Sequence, residues 1–147
     1  MTRLFVLLCL LFALLGTSAF MSTGMKLGRA IASNTLQMVD MSDPNMKKID
    51  DMVKTNKIVL FMKGTKLFPQ CGFSNTAVRI LDAIEKPFET VNVLEDENIR
   101  NGVKTYSSWP TIPQLYVDGE FIGGCDIMIE MYESGELAEM IEVSAAS

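Results

Sequence analysis

Five consecutive apolar residues, Ile58 to Met62, stand between Lys57 and Lys63. A run of that length without polar alternation suits a strand buried on both of its faces, most easily the centre of a sheet. The flanking segments supply what could cover it. Ser42 or Asp43 can cap a helix with Pro44 in its first turn, and Met46, Ile49, Met52 and Val53 recur at helical spacing through about Thr55. Beyond the strand, Gly64 to Gln70 reads as a loop containing Pro69. A helix is then expected from Cys71, with Ala77, Val78, Ile80, Leu81 and Ile84 on its apolar face. Pro87 ends that stretch, and Phe88 to Leu94 reads as a second strand. Two strands joined through a helix imply a parallel pair with a right-handed crossover.

The second half reads differently. Asp96 to Tyr106 is an expected helix with Ile99 and Val103 turned inward. Gln114 to Val117 is a strand, Asp118-Gly119 a hairpin turn signal, and Glu120 to Ile122 the returning strand. Gly123-Gly124 breaks the pattern, a helix follows over Asp126 to Tyr132, and Gly135 separates it from a last helix ending near Val143. The order α-β-α-β-α-β-β-α-α defines an α/β chain with a four-stranded mixed sheet and helices on both faces, which fits the thioredoxin-like architecture. Without internal repeats or a low-complexity linker after Ser42, residues 43–147 read as one domain.

The chain of 147 residues contains no histidine, which removes Ser-His and Cys-His nucleophile pairs and His-containing zinc sites. A net charge of −5 and the lack of a basic run argue against nucleic-acid binding. The three cysteines are Cys9, Cys71 and Cys125, too few for a disulfide framework or for a four-cysteine metal site in one chain.

The start of the chain reads as an address. Arg3 precedes an apolar run from Leu4 to Leu15 and the small residues Gly16 to Ala19, the pattern of a secretory signal peptide over residues 1–19. The run is short of the ~20 residues a membrane span needs, an uncleaved anchor being the alternative, so no stable span is expected in the mature form. Residues 20–42 carry Lys26, Arg29 and several hydroxyl residues, and the first acid in the chain is Asp40, a composition that suits a transit peptide. A signal peptide joined to such a segment at Ser18-Ala19-Phe20 resembles the bipartite leader of proteins imported into complex plastids. Secretion or retention in an endomembrane lumen is the alternative.

Cys71 falls after a loop and at the start of a helix, where unpaired N–H groups and the helix dipole stabilise an anion and lower a thiol's pKa. Lys63, at the end of the preceding strand, can add a positive charge. Gly72 permits close approach to the sulfur. A C-x-x-C redox centre needs a second cysteine where this chain has Ser74, so a second thiol must come from glutathione, Cys125 or another subunit.

Four motifs, Lys63-Gly64-Thr65, Pro69-Gln70-Cys71-Gly72-Phe73-Ser74, Trp109-Pro110-Thr111-Ile112-Pro113 and Gly123-Gly124-Cys125-Asp126, stand in the order and spacing of the monothiol glutaredoxins of the CGFS class, which the chain resembles over about residues 45 to 142. Lys66-Leu67-Phe68 departs from the commoner Pro-Glu-Gln loop and looks nearer the plastid members. The resemblance implies a glutathione site at Lys63, Cys71, Phe73, Arg100, Thr111, Ile112, Pro113, Gly124, Cys125 and Asp126. Lys63 and Arg100 would meet the glycyl carboxylate, and Ile112, before a cis-proline, would pair with the ligand backbone. The Cys125 and Asp126 amides would hold the γ-glutamyl carboxylate, with the Asp126 side chain facing its ammonium group. A solvated Arg100 and a helix-capping Asp126 are the alternatives.

The family also carries a [2Fe–2S] cluster between two subunits, with Cys71 as the protein's metal ligand and two glutathiones completing four thiolates. A cluster-bridged homodimer, BolA-like proteins and iron–sulfur acceptor apoproteins are the partners this implies. The alternative is an oxidoreductase that reduces protein–glutathione mixed disulfides through Cys71. Cys125 is either a half-buried structural thiol or a disulfide partner for Cys71.

Overall fold

The computed structural model of the chain describes residues 41–146; the expected signal peptide, nearly all of the transit-like segment and Cys9 lie outside them. Helix α1 spans Pro44–Thr55. Asp43 rather than Ser42 caps it, accepting the Asn45 N–H at 2.8 Å, with Pro44 at the first helical position, where a missing N–H costs nothing. Strand β1, Ile58–Met62, is buried along its whole length. Helix α2 spans Gly72–Ala83, β2 Glu89–Asn92, α3 Glu97–Ser107, β3 Gln114–Val117, β4 Glu120–Gly123, α4 Cys125–Ser134 and α5 Glu136–Ala146.

The four strands form one mixed sheet in the order β2-β1-β3-β4, with β1 and β2 parallel and the other neighbours antiparallel. Alternation along β1 divides its side chains between two cores. Ile58, Leu60 and Met62 join Leu115 and Val117 under α2, α4 and α5, which contribute Ala77, Leu81, Met128, Leu137 and Ile141. Val59 and Phe61 join Tyr116 on the opposite face, where Ile49 and Val53 of α1 and Ile99 and Val103 of α3 close over them. Burying β1 on both faces is what its unbroken apolar run demands.

Three elements differ in extent from expectation, one of them α5, which runs to Ala146 rather than ending near Val143. Strand β2 is four residues long instead of seven, because Asn92 turns its side chain into the adjoining loops: Oδ1 accepts the Gly64 N–H at 2.9 Å and the Leu94 N–H at 3.2 Å. Helix α4 begins at Cys125 and continues to Ser134, where Gly135 takes a left-handed conformation with φ +85. In consequence, the end of β1 and the starts of α2, β3 and α4 lie around one cleft.

Candidate functional site: a thiolate beside a basic cleft

The chain leaves β1 through Lys63 and turns at Gly64, whose φ is +91. A side chain there would be strained and its Cβ would sit against the Phe68 carbonyl oxygen and 2.7 Å from the Gln70 nitrogen. Thr65 and Phe68 exchange backbone hydrogen bonds of 3.2 and 3.1 Å, and the Gln70 N–H returns to the Lys63 carbonyl at 2.9 Å. This closed loop delivers Cys71 to the N-cap of α2 in extended conformation.

The Cys71 thiol is half-buried and held below the ordinary thiol range. The Ser74 N–H is the largest cause; burial opposes it, and the Phe73 N–H, the Lys63 charge and the Ser74 hydroxyl add to it. Ser74 itself is fully buried, and its hydroxyl accepts the Lys63 N–H at 3.1 Å.

A cleft of about 510 Å³ opens beside the sulfur. Lys63, Cys71 and Phe73 line one side of it, and Arg100 and Lys104 of α3 approach from another. Residues 109–113 form a wall, and Gly124, Cys125 and Asp126 at the start of α4 complete the lining with Ile127. All ten residues expected from the sequence are therefore brought to one cavity. The Ile112–Pro113 peptide bond is cis. Gly124 packs closely on the wall: a Cβ there would stand 3.2 Å from the Trp109 indole nitrogen, tight enough that the indole would have to shift slightly.

The charges around the cleft are unevenly placed. Lys63, Arg100 and Lys104 supply three cations, whereas Asp126 is the carboxylate in the lining. Arg100 gives one guanidinium nitrogen to Glu97 at 3.1 Å, while its Nε is buried with no partner. A buried donor of that kind is costly to leave unmade and invites a carboxylate. Cys125 is buried at 6% exposure, and burial pushes its thiol up, with the Asp126 and Cys71 charges acting in the same direction. Both thiols are free. Among the described residues, no three Cys, Asp or Glu side chains are grouped to hold a metal ion.

The sequence reading missed Lys104, one helical turn beyond Arg100; that spacing was the available signal. Trp109 and Pro110, recognisable in the sequence as motif residues, also line the cleft, and Gln114 opens β3.

The sequence profile of the Glutaredoxin family matches residues 58–122. The ycf64-like monothiol glutaredoxin of Synechocystis sp. is 60% identical over 107 residues, covering 73% of this chain and all of that protein. The chloroplastic monothiol glutaredoxin-S7 of Oryza sativa subsp. japonica is 58% identical over 105 residues, 71% of this chain and 62% of its own length. The solution structure of reduced poplar apo GrxS14 superposes with a TM-score of 0.62 at 60% identity, covering 69% of this chain and 93% of that one. Fold and site together define a thioredoxin-fold protein with one half-buried cysteine, its thiol held below the ordinary range, at the mouth of a cleft. The chain belongs to the monothiol glutaredoxin family.

Proposed function

We propose that the protein binds glutathione in the cleft beside Cys71 and carries a [2Fe–2S] cluster between two copies of itself, for transfer to acceptor apoproteins. One observation carries this reading: a half-buried thiol held below its ordinary range opens onto a cleft whose cations include Arg100, its Nε buried and unpartnered. A two-iron cluster takes four thiolates. One chain offers Cys71, since Cys125 is buried and its thiol is pushed toward the neutral form. Two chains with two small external thiols complete the set. Glutathione would serve as that thiol, its two carboxylates meeting the cations and the helix start that line the cleft. Lys63, Arg100 and Lys104 would hold one, and the first amides of α4 at Cys125 and Asp126 the other. Phe73, Thr111, Ile112, Pro113 and Gly124 would supply the walls.

BolA-like proteins and iron–sulfur apoproteins are the proposed partners, and a plastid is the proposed location. The chloroplastic rice relative and the composition of residues 1–42 support the latter. Among the described residues, no helix is long and apolar enough to cross a membrane.

The depressed Cys71 thiol also favours a second reading, glutathione-dependent reduction of mixed disulfides. There the Cys71 thiolate takes the glutathionyl sulfur from a protein mixed disulfide and releases the protein thiolate. A second glutathione thiolate then attacks, leaving glutathione disulfide and the Cys71 thiolate. The discriminating experiment titrates glutathione into the protein and assays turnover of a glutathionylated peptide with and without iron and sulfide. Saturable binding weakened by Arg100→Gln, slow turnover and iron-dependent colour support the carrier. Rapid turnover with no iron bound would make the protein an oxidoreductase.

A further inference from the structure

Behind the cleft wall lies a side chain that the ligand reading does not use. Gln114 is fully buried at the start of β3. Its Nε2 donates to the Trp109 carbonyl and to the Thr111 carbonyl, each at 3.0 Å, and its Oε1 accepts the Tyr116 hydroxyl at 3.0 Å. Both amide hydrogens and the amide oxygen are thereby engaged. The orientation of the amide is forced by its partners, because the reverse setting would press Oε1 against two carbonyl oxygens.

The wall needs such a support. Of residues 109–113, Pro110 and Pro113 have no N–H, and the Trp109 N–H is spent on the Lys104 carbonyl at 3.0 Å and the Ser107 hydroxyl at 3.1 Å. The segment has little backbone left with which to bond itself. A trans peptide plane points its C=O and N–H in opposite directions. Because Gln114 draws the Thr111 carbonyl into the core, the Ile112 N–H on the same plane faces away from Gln114, on the side where Ile112 lines the cleft.

We propose that Gln114, oriented by Tyr116, is a positioning residue of the cleft: it fixes the direction of the Ile112 N–H and with it the backbone edge offered to a peptide-like ligand. The inference rests on the glutathione reading for its ligand but not for its geometry. Tyr116 is itself locked in place, edge-on to Phe61 at 5.5 Å between ring centroids and tilted against Phe121 at 5.4 Å. The device is thus anchored in the core and acts at the surface.

Trp109 is the protein's one tryptophan and stands in the wall, so its fluorescence reports the site directly. The test compares the full chain with Tyr116→Phe, which removes one hydroxyl and keeps the ring, and with Gln114→Leu. Amide NMR spectra are recorded first, then glutathione is titrated against Trp109 fluorescence. The Ile112 amide and Trp109 indole resonances are expected to move in both variants, while the Phe73 and Ser74 amides at the start of α2 stay in place. The glutathione Kd is expected to rise about tenfold, the scale of one lost hydrogen bond. An unmoved Ile112 amide in Tyr116→Phe, or an unchanged Kd in a parent that binds glutathione, overturns the proposal. A parent that binds no glutathione removes the ligand reading instead, and the resonances alone then decide whether Gln114 positions the wall.

Discussion

The hydroxyl of Ser74 accepts the Lys63 N–H at 3.1 Å and adds to the hold that keeps the Cys71 thiol below its ordinary range, so one buried side chain links the end of β1 to the cysteine at the start of α2. The position that a two-cysteine centre would use for its second thiol is filled here by a structural hydroxyl. Replacing it with alanine leaves the Lys63 N–H unpaired in a half-buried place. Ser74→Ala is expected to cost about 1–2 kcal/mol in urea unfolding. It should also move the pH midpoint of Cys71 alkylation upward while leaving it below that of a free thiol, because the Ser74 and Phe73 N–H groups remain. An unchanged midpoint would separate the hydroxyl from the thiolate.

The two thiols should respond to pH with opposite signs. The folded Cys71 pKa is depressed, chiefly by the Ser74 N–H. Its ionisation therefore contributes stability that is full above the unfolded thiol pKa and is lost as pH falls through the folded value. The folded Cys125 pKa is raised by burial, so its contribution is full below the unfolded thiol pKa and is lost as pH rises through the folded value. Unfolding free energies measured across neutral to alkaline pH should fall less steeply in Cys125→Ala than in the parent, and more steeply in Cys71→Ser. Alkylating reagents should modify Cys71 well before Cys125.

Gly64 and Gly119 have similar positive φ values, +91 and +85, in different surroundings. A Cβ at Gly119 would meet nothing within 4 Å, whereas one at Gly64 would meet the Phe68 carbonyl and the Gln70 nitrogen. Gly119→Ala is expected to cost about 1 kcal/mol, the left-handed strain alone. Gly64→Ala should cost roughly 3 kcal/mol, since backbone must move as well. The loop that carries Cys71 should also loosen, which thiol reactivity would report. Equal losses at the two sites would contradict a closed loop at residues 64–70.

Much of this architecture was legible in the sequence because local rules and tertiary demand agree there. The Ile58–Met62 run reads as a central strand and is one. The helical spacing of Met46, Ile49 and Val53 reads as a buried face and is one. The helix start at Cys71 gives the electrostatics that the folded thiol shows. What escaped depends on contacts between distant segments. The length of β2 was hidden because Asn92 spends its side chain on Gly64, 28 residues away. The apolar residues of α3 that mark its inward face are Ile99 and Val103, whereas its Arg100 and Lys104 are seen to share one cleft only once the chain is folded. Gln114 carries no local signal at all: a glutamine at a strand start becomes informative when Trp109 and Thr111 are seen to depend on it.

The most direct test of the account is anaerobic reconstitution with iron, sulfide and glutathione, following visible absorption and native mass together. A cluster chromophore that requires glutathione, on a species of two chains, one [2Fe–2S] unit and two glutathiones, is expected, and Cys71→Ser should abolish it while the fold persists. A colourless monomer, or a chromophore that survives Cys71→Ser, would contradict the assignment of Cys71 as the ligand and of the protein as a cluster carrier.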